Sequence, residues 1–162
     1  MIVLYMLKRC EMPLSKSQIY DFILEKEYTT FLTLQEVFSE LSSASLIIEK
    51  TMGNRTYLEI TPDGEQTLSF FGNRLNPAIK QQIDEYLTAN SMKIVNEAAI
   101  LGDYKKTGDN EYQVKLIARE NGQELVNITI PVPTEEIAQN VLDKWQEQNQ
   151  DIYMYLVNKL MS

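Results

Sequence analysis

The junction Arg55-Thr56-Tyr57-Leu58-Glu59-Ile60-Thr61-Pro62-Asp63-Gly64 constrains this chain more than any other stretch. Arg55 to Ile60 has the composition of a strand, and that strand must stop at Thr61-Pro62, because proline has no N–H to give to a sheet. The same dipeptide starts a helix. A threonine caps it and proline takes the first helical position, where the missing N–H costs nothing. Glu65 then lies near the positive end of the helix dipole, Leu68, Phe70 and Phe71 add apolar weight, and Gly72-Asn73 offers a stop.

What precedes the junction reads as its partners. Leu46 to Thr51 is a second strand-like run, separated from Arg55 to Ile60 by Met52-Gly53-Asn54, whose Gly and Asn tolerate the positive φ of a tight hairpin. Upstream, Ser15 with Gln18 three residues on forms a capping box before Ile19, Phe22, Ile23 and Lys26, which share one helical face. Tyr28 to Phe31 is expected to be a connector. Thr33 with Glu36 is expected to be the next capping box, opening a helix with Leu34, Val37, Phe38 and Leu41 on its buried stripe. Ile2, Val3, Met6, Leu7 and Cys10 recur at helical spacing in a first helix, ended by Pro13. Three helices, a hairpin and a capped helix in this order are the grammar of a winged helix-turn-helix, expected over residues 1–75.

In such a module the third helix enters a major groove and the hairpin is the wing. Thr33, Gln35, Ser39, Ser42 and Ser43 lie on or beside the face of that helix opposite its apolar stripe, and Gln and Ser can hydrogen-bond base edges. Lys50, Asn54 and Arg55 belong to the wing and Lys16 opens the second helix, so these are the residues expected to touch phosphate or minor groove. A bland alternative stands beside each. Ser and Gln are common on any solvated helix face, and basic residues on edge strands guard against aggregation. The charge also argues for restraint: Met1 to Leu75 holds seven basic against ten acidic side chains, a local net of −3, and the third helix carries Glu36 and Glu40 but no base.

The second half follows from Pro77, which opens a linking helix over Ala78 to Ala89 with Ile79, Ile83, Tyr86 and Leu87 on its apolar face. The domain boundary is expected near residues 73–76, giving an α+β domain over 76–162. Met92 to Tyr104 fits helix or strand, and strand is expected because a meander follows. Tyr112, Val114, Leu116 and Ala118 alternate, Asn121-Gly122 is a hairpin signal, and Val126, Ile128, Ile130 and Val132 alternate again before Pro133. Thr134 caps a helix with Ile137, Ala138, Val141, Leu142 and Trp145 in register, and a last helix is expected from Asp151 with Ile152, Leu156 and Leu160 on one stripe. The fold class expected is α+β: a winged helix-turn-helix, then a small three-stranded antiparallel sheet with two C-terminal helices.

Composition narrows the chemistry. The 162 residues contain no histidine and one cysteine, Cys10, so the commonest general base and metal ligand are absent and no intrachain disulfide can form. There is no phosphate-binding glycine loop, no metal-ligand spacing and no nucleophile with a base in view, so neither enzymatic activity nor a cofactor or metal is expected. Met1 to Leu7 is apolar but too short to span a bilayer, and Lys8-Arg9 follow it rather than precede it, so a cytoplasmic location is expected. The overall charge of −8 repels phosphate and demands a local basic feature for any nucleic acid. Double-stranded DNA bound by a homodimer is the expected partner, with any small-molecule effector left open. A protein-interaction module without nucleic acid, using the apolar helices around Trp145 and Tyr153, is the alternative.

The joint carried by Tyr57, Ile60, Thr61, Gly64 and Leu68 resembles winged-helix transcription regulators of the PadR and MarR kind. Over most of its length the chain is also similar to an uncharacterised bacterial domain-of-unknown-function family with an N-terminal winged helix. That resemblance is carried by Leu4-Tyr5, Pro13-Leu14, Ser17-Gln18-Ile19, Phe22 to Lys26, Tyr28-Thr29, Leu34-Gln35 and Leu41, then by Asp103-Tyr104, Tyr112, Val114, Ala138, Trp145 and Ile152-Tyr153. It implies a winged helix followed by a small α+β half and a regulatory role, with no biochemical activity to transfer.

Overall fold

Thr61 does two jobs at the strand-to-helix junction. Its hydroxyl donates to the Ser45 carbonyl (2.7 Å) and accepts from the Gly64 N–H (3.0 Å), so one side chain caps the helix and ties it to the turn before the hairpin. The Thr61 N–H also donates to the Leu46 carbonyl (3.1 Å). Gly64 is required there: a Cβ at this position would run into the Leu46 carbonyl oxygen and lie 2.8 Å from Ile60 Cγ1.

The computed structural model describes residues 1–10, 12–52, 55–121 and 123–161. Among them lie seven α-helices and two three-stranded antiparallel sheets in a mixed α+β chain. The first compact unit, Met1–Ile94, holds α1 (Ile2–Arg9), β1 (Leu14–Ser15), α2 (Lys16–Glu25), α3 (Phe31–Ser43), β2 (Ile47–Met52), β3 (Arg55–Ile60), α4 (Pro62–Phe71), a 3-10 turn (Gly72–Arg74), α5 (Pro77–Ala89) and the start of α6 (Ser91–Ala99). The second, Val95–Ser162, holds the rest of α6, then β4 (Ile100–Gly108), β5 (Glu111–Glu120), β6 (Gln123–Val132) and α7 (Glu135–Leu160).

In the first unit the sheet order is β1-β3-β2, with Leu14 opposite Leu58 and Lys50 opposite Tyr57. The core gathers Leu4 and Met6 of α1, Leu14 of β1, Ile19 and Phe22 of α2, Leu34 and Phe38 of α3, Leu58 of β3, and Ile83 of α5. Ser15 and Gln18 form the expected capping box while buried, through Gln18 N–H to Ser15 Oγ (3.2 Å) and Ser15 N–H to Gln18 Oε1 (3.0 Å). α5 packs into this same core: the Tyr86 hydroxyl donates to the Gln18 carbonyl (3.1 Å), its ring lies 5.1 Å from Phe22, and Arg9 pairs with Asp84 at 3.0 Å.

In the second unit the order is β4-β5-β6, and α7 covers one face. Val114, Leu116, Ala118, Val126 and Val132 pack against Ala138 and Trp145, and the Trp145 indole N–H donates to the Ile117 carbonyl (3.3 Å). Thr134 caps α7 as expected, accepting from the Ile137 N–H at 3.2 Å.

Several expectations need correction. There are two three-stranded sheets, not a hairpin and one sheet, because the short β1 joins the hairpin through β3. α3 starts three residues before its expected apolar stripe. Its cap is Thr30, which accepts from the Thr33 N–H (3.3 Å), so Thr33 is a first-turn residue. Of Met92 to Tyr104, expected as strand, the part up to Ala99 is helical, with Ile94 and Ala98 buried four apart on one face, and the strand begins only at Ile100. The two expected C-terminal helices are one continuous 26-residue α7, since nothing from Gln146 to Asp151 breaks a helix and Asn149 donates back to the Trp145 carbonyl at 2.9 Å.

Candidate nucleic-acid interface

α3 is fixed from beneath by Leu34 and Phe38, four residues apart and both buried, which turns Leu32, Gln35, Glu36, Ser39, Glu40 and Ser43 to solvent, with Ser42 half-buried beside them. At its N-terminus Phe31 stacks on Tyr20 of α2 (ring centroids 4.8 Å, 27° between planes), and Tyr20 meets Phe38 edge-on at 5.5 Å. This aromatic cluster sets α3 against α2. Phe31, the first residue of α3, is thus held against α2 where the helix starts.

The three cations expected to grip phosphate are placed differently from one another. Lys16 sits 5.4 Å over the Phe38 ring with its Nζ 3.1 Å from Glu49 Oε1. Lys50 Nζ lies 3.0 Å from Glu59 Oε2, a diagonal pair across β2 and β3. Arg55 is exposed at the start of β3, opposite Met52. Successive strand residues point to opposite faces, so Glu49 with its Lys16 belongs to the face of the hairpin that carries the buried Ile47 and Leu58. Lys50, Arg55 and Glu59 share the other. The sheet therefore brings Lys50 and Arg55 together and sets Lys16 apart from them. Asn54 lies outside the described residues.

Chemically the site is a helix face rich in donors and acceptors, Gln35, Ser39 and Ser43, with an acidic edge at Glu36 and Glu40 and two lysines, Lys50 of the hairpin and Lys16 of α2, each held by a hairpin carboxylate. Both lysine pairs are at the surface, where such bridges are worth about 0–1 kcal/mol, so a phosphate can replace either carboxylate at small cost. The carboxylates that hold these lysines, Glu49 and Glu59, were absent from the expected set. The signal for Glu59 was in the strand pairing itself: Met52 opposite Arg55 puts Lys50 opposite Tyr57, which leaves Glu59 diagonal to Lys50. Nothing in the sequence pointed to Leu32, 71% exposed at the start of α3. Among the described residues no group of three or more Cys, Asp and Glu side chains is arranged to hold a metal, and no helix is long and apolar enough to cross a membrane.

Set against known protein families, residues 1–160 match the model described as Domain of unknown function (DUF4364). The chain belongs to this family. No curated protein and no solved structure matches it. The DUF4364 match crosses the division at Ile94, so the family is defined by both compact units and not by the first alone.

Proposed function

We propose that this DUF4364 chain is a non-enzymatic, DNA-binding transcriptional regulator that acts as a homodimer, its first unit being a winged helix-turn-helix with α3 as the groove-reading helix and β2–β3 as the wing. The observation that carries this reading is the element order α1-β1-α2-α3-β2-β3-α4 with the β1-β3-β2 sheet, combined with a solvent-facing α3 surface of Gln35, Ser39 and Ser43. Two copies double a contact that each makes weakly, which suits a module with few basic residues.

Fluorescence anisotropy with duplex DNA from upstream of the protein's own coding sequence, at two salt concentrations, tests it. Binding that weakens as salt rises is expected, because each phosphate gripped by Lys16, Lys50 or Arg55 releases a counterion. No binding at low salt, or binding indifferent to salt, would sink the reading. A second reading, a protein-interaction module on the same scaffold, is favoured by the exposed Leu32 beside Glu36 and Glu40, an apolar and acidic combination unsuited to phosphate. Loss of DNA binding on Gln35→Ala with Ser39→Ala decides against it; DNA binding untouched by both changes decides against α3 as the reader.

A further inference from the structure

The second half of α7 has more apolar surface than its own chain covers. The helix is 26 residues, about 39 Å long at 1.5 Å per residue, yet its last buried residue is Trp145. Beyond it, Ile152-Tyr153-Met154-Tyr155-Leu156-Val157 is an unbroken run of apolar and aromatic side chains. At 3.6 residues per turn, six in a row point to every side of the helix, and a helix apolar all round is normally enclosed. Here Met154 is 47% exposed, Tyr155 62% and Leu160 76%.

We propose that this segment is the self-association surface of the protein, two copies pairing their α7 helices antiparallel about a two-fold axis near Tyr155. The occupant is named by the charges. Asp151 and Lys159 bracket the run, each four residues from Tyr155, so acid, aromatic and base lie along one stripe, and Ile152, Leu156 and Leu160 form an apolar seam beside it. Neither Asp151 nor Lys159 forms an ion pair among the described residues, and Lys159 Nζ rests 5.9 Å from the Tyr155 ring centroid. A second copy laid antiparallel sets Lys159 against the partner's Asp151 at both ends of the seam and seam against seam between them. A parallel copy sets like against like. An isologous contact needs this self-complementarity. A lipid surface would be met by a basic rim, and the run has a carboxylate at one end and a single lysine at the other. The proposal deepens the dimer contained in the functional reading above and rests on that part of it; it is independent of DNA binding.

Light scattering after size exclusion, with the full chain over a wide concentration range, gives the test. Wild type is expected at twice the chain mass of 18.7 kDa. Tyr155→Lys is expected to weaken the dimer about 30-fold or more, as for a central interface residue, with an unchanged far-UV circular dichroism spectrum because the side chain is exposed. Asp151→Lys and Lys159→Asp are each expected to weaken it about five- to tenfold, and the double swap to return it close to wild type. A wild type that stays monomeric overturns both this surface and the dimer reading, and vesicle binding by that monomer would assign the face to lipid. A dimer indifferent to Tyr155→Lys overturns the surface alone. Single swaps that weaken the dimer without recovery in the double overturn the antiparallel pairing.

Discussion

At the scale of single residues, the carboxylates set the behaviour of the candidate interface. Glu49 and Glu59 hold Lys16 and Lys50 at 3.1 and 3.0 Å. Glu49→Gln and Glu59→Gln leave the fold alone, since both sites are at the surface, and each frees a lysine while removing a charge that repels phosphate. Each is expected to tighten duplex DNA binding about three- to tenfold at low salt and to steepen the logarithmic salt dependence by roughly one, read by anisotropy titration. Unchanged affinity in both would remove the hairpin from the interface. Another residue-scale effect is a pH dependence at Tyr5, whose pKa is raised, first by burial, then by the Asp84 carboxylate, with Arg9 opposing. The folded state thus holds this proton more tightly than the unfolded chain. The stability it contributes is fully present below the ordinary tyrosine pKa of about 10 and is lost as pH climbs through the higher folded value. Tyr5→Phe is expected to flatten the fall in melting temperature above about pH 10, and an equally steep fall would assign it to other groups.

At the scale of elements, close approach decides more than propensity does. α7 lies so near β4 that a Cβ on Gly102 would stand 2.7 Å from Leu142 Cδ2. Gly102→Val therefore overpacks this contact and is expected to cost about 1–3 kcal/mol in denaturant unfolding, with Leu142→Ala in the same chain recovering part of the loss through non-additivity. Simple additivity would place the strain elsewhere. The elements legible in the sequence were those announced by local chemistry: the Ser15 box, the Thr61-Pro62 start and the Thr134 cap all stand where the residues put them. Elements set by distant contacts were not. Thr33 with Glu36 satisfies the local rule for a cap, yet the helix begins earlier, where Phe31 stacks on Tyr20 of α2. β1, two residues long, is too short for any periodicity and exists through its register with Leu58 and Tyr57. Residues 91–99 carry apolar side chains that fit both periods, and the burial of Ile94 with Ala98 selects the helix. In the candidate site, the exposed α3 face was readable from its spacing, whereas Glu49 as the partner of Lys16 was not, because that pair joins α2 to β2 across β3.

At the scale of the whole molecule, the chain carries two cores with no residue in common, one built on Phe22, Phe38 and Leu58 and the other on Val114, Ala138 and Trp145. Its single tryptophan is Trp145, 1% exposed in the second core. Indole fluorescence thus reports the second unit, while far-UV circular dichroism sums helices from both. Leu58 is fully buried in the first core, and truncating a buried leucine typically costs about 2–5 kcal/mol. Leu58→Ala is expected to move part of the dichroism-detected transition to lower urea and to leave the fluorescence-detected midpoint near its wild-type value. In wild type the two probes are expected to give non-coincident curves, the mark of a chain that does not unfold in one step. Coincident curves that shift together in Leu58→Ala would show instead that α6, which begins in one unit and ends in the other, couples the two cores into a single cooperative whole.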